Sequence, residues 1–149
     1  MAGRASVGLL LVGLVLAGCS GDQATGGRYR GVDDTGLPSH PIERGWMIAV
    51  PADAAGDLLG RPGVDGWAYH GVDVDEAEVL AAGGVWQQVG RGGRFDLPVE
   101  PGSWLVCAVG DGGGSIAPRT SGCSEVTIAD GDQLLATVGE AGFWVERDD

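Results

Sequence analysis

The sequence predicts a single, mainly β domain: an antiparallel β-sandwich carrying one or two short inserted helices. Three observations lead there. Apolar runs of strand length recur at spacings of roughly ten residues, separated by Gly-rich turns. Several of these runs alternate apolar and polar side chains with a period of two. Glycine supplies 29 of the 149 residues without a three-residue period, which excludes a collagen-like chain and leaves turns as its use.

Each element follows in order. Residues 46–50 form a strand with Trp46, Ile48 and Val50 on one face. Residues 53–59 allow a short helix, weakened by Gly56. Residues 73–82 read as a longer one: Asp73 caps it, Glu76 stands at the third position, and Gly83 stops it. Its expected buried stripe is Val74, Ala77, Leu80 and Ala81. Strand 85–89 sets Val85, Gln87 and Val89 opposite Trp86 and Gln88. The turn 90–93 then leads to strand 94–97, with Phe95 and Leu97 inward and Arg94 and Asp96 outward, so a hairpin is expected. Residues 104–109 are apolar on both faces, as a central strand should be. Val126 and Ile128 face inward on the next strand, the turn 129–132 leads to strand 133–138, and Phe143 and Val145 mark the last.

Charge narrows the function classes. Nine basic residues, all Arg, stand against 21 Asp plus Glu, for a net charge of −12. Such a balance excludes nucleic acid as a partner, because no basic surface remains to neutralise phosphates. It equally excludes docking on anionic lipid by charge. Lys and Asn are both absent, which points to a GC-rich genome.

The chain begins with Arg4, an apolar stretch over residues 7–17, and the run Leu16-Ala17-Gly18-Cys19. The stretch suits a signal peptide and is too short to span a bilayer. The run resembles a bacterial lipobox at every position. That resemblance implies cleavage before Cys19 and acylation of its sulfur, and therefore a cell-membrane location on the extracytoplasmic face. The membrane becomes a partner through the lipid alone. The organisation expected is a signal peptide over 1–18, a flexible tether over 19–43 and the β-sandwich over 44–149. Within the tether, residues 28–32 offer a first edge strand. With Cys19 acylated, Cys107 and Cys123 remain. In an exported chain they read most simply as one disulfide, the alternative being two buried thiols.

The stretch from Gly93-Arg94-Phe95-Asp96-Leu97 to Pro101-Gly102-Ser103-Trp104-Leu105-Val106 resembles the hairpin signature of carboxypeptidase-regulatory-like, transthyretin-like and Cna-B-like domains. Trp104 takes the place of their usual Tyr. The resemblance implies a sandwich without catalysis of its own. The cross-link some Cna-B domains form needs a Lys, which this chain lacks. The longer frame from Gly45 to Cys123 resembles small secreted lipoproteins of actinobacteria.

No catalytic residues are assigned. Asp34-Thr35-Gly36 matches the aspartic-protease triplet, but there is no second copy to share a proton. Gly113-Gly114-Ser115-Ile116-Ala117 approaches a nucleophile elbow, yet Pro118 follows where a helix must start. Asp73, Asp75, Glu76 and Glu78 lack a calcium-loop spacing. No metal or cofactor is expected. Two functions follow, and a third, an envelope hydrolase, would need a convergent acid/base pair in a cleft. The first is non-enzymatic presentation of the sandwich to an envelope protein or other envelope component. The second is binding of a glycan or small ligand by Trp67, Tyr69, His70 and Trp144, aromatic area beside the acids Asp65 and Asp73.

Overall fold

The computed structural model describes residues 24–33, 35–63, 66–111 and 117–148. The expected leader, Cys19, Asp34, Asp65 and the Gly112–Ser115 loop lie outside the described residues.

The fold is a β-sandwich of two sheets with two short helices. In chain order its elements are β1 (Thr25–Val32), β2 (Pro38–Pro41), β3 (Trp46–Pro51), α1 (Ala55–Leu59), α2 (Glu76–Ala81), β4 (Val85–Gln88), β5 (Arg94–Leu97), β6 (Gly102–Gly110), β7 (Arg119–Ile128), β8 (Gln133–Gly139) and β9 (Gly142–Arg147). One sheet runs β4-β3-β6-β7 and is antiparallel throughout. The other runs β2-β1-β8-β9, with β5 also pairing β1. It is mixed, because β1 and β8 are parallel.

The apolar patterns explain a third layer. Met47 and Ala49 of β3 and Val106 and Ala108 of β6 bury against Tyr29, Phe95, Leu134, Ala136 and Phe143 of the five-stranded sheet. The opposite faces of the same strands carry Ile48, Val50, Leu105, Cys107 and Val109. They bury against Leu59 of α1 and Val79 of α2. The four-stranded sheet is therefore covered on both sides, which is why β3 and β6 lack polar alternation. Among the described residues the five-stranded sheet is covered on one side only, and β5 alternates accordingly: exposed, buried, exposed, buried from Arg94 to Leu97.

Three expectations are corrected. The stretch read as a tether from residue 19 to 43 contributes two strands, and β1 is interior to its sheet rather than at an edge. Its glycines serve close packing instead of freedom: a Cβ on Gly27 would strike the Phe95 ring and the Leu134 carbonyl oxygen. Next, strands 85–88 and 94–97 do not form a hairpin. β4 pairs β3, whereas β5 pairs β1 in the other sheet. The chain turns this corner over Arg91–Gly93, a kinked turn in which Gly92 and Gly93 both take positive φ. Gly93 sits there at φ +70°, with the Tyr29 carbonyl oxygen where a Cβ would go. β5 and β6 likewise run in different sheets, so the stretch from Gly93 to Val106 is a crossover.

The third correction concerns α2, which starts later than expected. Asp75 is its cap, its Oδ1 accepting from the Glu78 amide at 3.2 Å. Asp73 instead bridges to Arg119, by backbone and by an exposed ion pair. This shift changes the buried face. Val79 is fully buried, while Ala77 and Ala81 are exposed and Leu80 is 51% exposed.

Candidate functional site

Cys107 and Cys123 are directly opposed across β6 and β7 and form a disulfide, with Cα atoms 4.0 Å apart. Both are buried on the helix-covered side of the four-stranded sheet. Their bond ties the central β6 to the edge strand β7 beneath the segment that holds Trp67, Tyr69 and His70.

That segment, residues 66–74, acts as a strap over sheet edges. The Phe143 amide of β9 donates to the Gly66 carbonyl at 2.7 Å, and the Cys123 amide of β7 donates to the Ala68 carbonyl at 2.9 Å. The Thr120 hydroxyl donates to the Tyr69 carbonyl, while the Thr120 amide donates to the Val72 carbonyl at 2.9 Å. His70 Nδ1 is 2.9 Å from the Ser121 carbonyl, a geometry in which the ring nitrogen donates. Such bonds satisfy strand groups that would otherwise template association. The aromatic rings follow the strap. Trp67 and His70 meet edge-on with centroids 4.9 Å apart, and Tyr69 packs against the core beneath the helices. Trp67 and Tyr69 are half-buried and His70 is exposed.

Trp144 lies elsewhere. It makes no ring contact with the other three among the described residues. On β9 it alternates with the buried Phe143 and Val145 and so belongs to the uncovered face of the five-stranded sheet, where it is half-buried.

Two of the concavities in the described surface open on this same face. Tyr29 points inward, so its neighbours Arg28 and Arg30 point outward. Register then fixes the rows. Arg30 pairs Thr137, which pairs Trp144. Arg28 pairs Leu135 on one side and Arg94 on the other. A concavity of about 360 Å³ is lined by Arg28, Arg30, His40, Pro41, Leu135 and Asp148. A second, of about 370 Å³, takes in Arg28, Arg94, Asp96, Gln133 and Asp148. The two share Arg28 and Asp148.

The electrostatics of this face are unusual for so acidic a chain. Among the described residues the ion pairs are Arg119–Asp73 and Arg147–Asp132, so Arg28, Arg30 and Arg94 have none. Two buried side-chain polar atoms lack a hydrogen-bond partner, Arg30 Nε and Thr137 Oγ1. They belong to residues paired directly across β1 and β8. Beneath the face, burial pushes the Tyr29 phenol up to about 12, against a smaller opposing pull from Arg44.

Chemically, the face offers guanidinium donors, carboxylate acceptors and one indole ring. The sequence reading grouped Trp144 with Trp67, Tyr69 and His70 and did not set it beside these arginines. The signal was present as Arg28-Tyr29-Arg30, two cations flanking a single apolar residue, and it was hidden by the surrounding glycines. No group of three His, Cys, Asp or Glu side chains that could hold a metal ion occurs among the described residues.

No family model matches the chain, and no curated protein matches it. Among solved structures it is similar to a Pseudomonas aeruginosa protein that has been proposed to bind carbohydrate. The identity is 15% and the TM-score 0.43, over 76% of this chain and 86% of that one.

Proposed function

We propose that this chain is a lipid-anchored protein on the extracytoplasmic face of the cell membrane. Without catalysis of its own, it presents its β-sandwich to a protein or another envelope component. The observation that carries this reading is Leu16-Ala17-Gly18-Cys19 at the end of the apolar stretch over residues 7–17. Cleavage there leaves 131 of the 149 residues, with two acyl chains on Cys19 sufficient for stable anchoring. The disulfide supports an oxidising compartment. The motif over residues 93–106 resembles that of carboxypeptidase-regulatory-like and Cna-B-like sandwiches in sequence, although its two strands lie in different sheets here. No helix among the described residues is long and apolar enough to cross a membrane.

One consequence of the anchor concerns distance. β1 begins at Thr25, so the sandwich would sit within about 20 Å of the lipid headgroups, the full reach of six residues. The anchored reading is tested by Cys19→Ala. Wild type is expected in the membrane fraction and labelled by radioactive palmitate. The variant is expected as unlabelled precursor or in the medium. A variant that stays membrane-bound with its leader removed would sink the proposal.

A second reading, a glycan- or small-ligand-binding module, is favoured by the concave, polar face of the five-stranded sheet. Its volumes of about 360 and 370 Å³ fall in the range of small-molecule sites.

A further inference from the structure

We propose that the uncovered face of the five-stranded sheet binds an acidic saccharide, its anionic group held by Arg28, Arg30 and Arg94 and a sugar ring lying against Trp144. The proposal deepens the ligand-binding reading and does not depend on the anchor.

The first argument is the placement of like charges. Arg28 and Arg94 are register partners on adjacent strands and share the outer face. Like charges directly opposite one another in a sheet destabilise it. Among the described residues the ion pairs fall on Arg119 and Arg147, and none on Arg28 or Arg94. Two arginines set side by side, with no described carboxylate at ion-pair distance, fit a site whose counter-ion arrives with the ligand.

The second argument is unmet hydrogen bonding. Arg30 Nε is buried without an acceptor, and Thr137 Oγ1, on a fully buried residue, is buried without a partner. A guanidinium carries five donors in a planar fork that suits carboxylate or phosphate oxygens. Leaving such groups unsatisfied is costly, and Arg30, only half-buried as a residue, keeps part of its side chain open to a ligand.

The third argument decides between a simple anion and a saccharide. Asp96 and Asp148 line the same concavities, and Glu146 lies beyond Leu135 in the Arg28 row. Glu43 is already engaged, accepting from the Gly92 amide at 2.6 Å. These carboxylates repel a bare anion but accept hydrogen bonds from hydroxyl groups. A ligand bearing both an acid group and hydroxyls meets both halves of the face. Trp144 supplies the remaining element, a flat apolar surface. It stands two strands from Arg30 in one row, about 10 Å away, and only Thr137 intervenes.

The test uses the protein as the cell produces it, with intrinsic tryptophan fluorescence and calorimetry as readouts. Trigalacturonate supplies a carboxylate on a sugar and glucose 6-phosphate a phosphate on a sugar. Maltotriose and inorganic phosphate supply the ring and the anion separately. Saturable binding of at least one acidic sugar is expected, weakened about tenfold or more by Arg28→Gln and by Arg94→Gln. Trp144→Ala is expected to weaken it several-fold. The arginine variants should unfold no more readily than wild type, because each removes a like-charge contact; a merely structural arginine would show the opposite. Maltotriose binding as tightly as the acidic sugars, with Arg28→Gln indifferent, would keep the ligand-binding reading and overturn this proposal. Phosphate binding as tightly as the sugars would remove the saccharide. Silence from all four probes would overturn the site and the ligand-binding reading together.

Discussion

Removing the disulfide isolates one stabilising element whose size can be worked from the fold. Cys107 and Cys123 are separated by 16 residues, and closing a loop of that length restricts the unfolded chain by about 3 kcal/mol. The double substitution Cys107→Ala, Cys123→Ala avoids burying a hydroxyl where Cys107 is fully buried and Cys123 nearly so. β6 and β7 remain paired on either side of the bond, so the folded state should persist. Urea unfolding is expected to show a loss of about 3 kcal/mol and a fall in Tm on the order of 10 °C. Because both sulfurs lie under the helices and the 66–74 strap, dithiothreitol should reduce native wild type only as fast as the domain opens. Rapid reduction of the native protein in the absence of urea would refute the burial argument. A stability loss below about 1 kcal/mol would refute the loop argument.

Two further outcomes follow from titratable groups. Tyr29 ionises near 12 when folded because burial disfavours the phenolate, against about 10 when unfolded. The stabilisation is therefore complete below pH 10 and lost as pH rises towards 12, worth about 3 kcal/mol; Tyr29→Phe should flatten that alkaline loss in a denaturation series. Asp33 accepts from the Thr35 hydroxyl, with further bonds from the Leu37 and Thr35 amides, and these hold its carboxyl below the usual aspartate range. Its contribution is present above the unfolded pKa and disappears as pH falls through the folded one. Thr35→Val should raise the Asp33 midpoint in an NMR titration, and an unchanged midpoint would dismiss the hydroxyl as its main cause.

Strand positions were legible in the sequence wherever side-chain pattern alone decides them. Phe95 and Leu97 alternate inward as read, and β6 is buried on both faces because apolar residues occupy both. The cysteine pair was legible on a different ground, because setting Cys19 aside on the lipobox reading leaves Cys107 and Cys123 as an even remainder. Pairing was not legible. The corner at Gly93 carries the same Gly-rich text as a hairpin turn, and only the docking of β5 on β1 separates the two. β1 was obscured by its own packing requirement. Gly26 and Gly27 make the text resemble a tether, although Gly27 is small because Phe95 lies over it. The arginine face was missed in consequence, since it exists only once β1 is placed between β5 and β8. The extent of α2 failed more modestly, because Asp73 is drawn into a long-range bridge with Arg119 that local capping rules do not register.

Everything said of the outer face depends on β1 being an interior strand. Amide hydrogen exchange over residues 25–32 tests this directly. With β8 on one side and β5 and β2 on the other, the strand's amides are expected to be protected to nearly the level of β6, opening only with global unfolding. Exchange at the rate of an unstructured chain across residues 25–32, with β6 still protected, would contradict the account and return this segment to a tether.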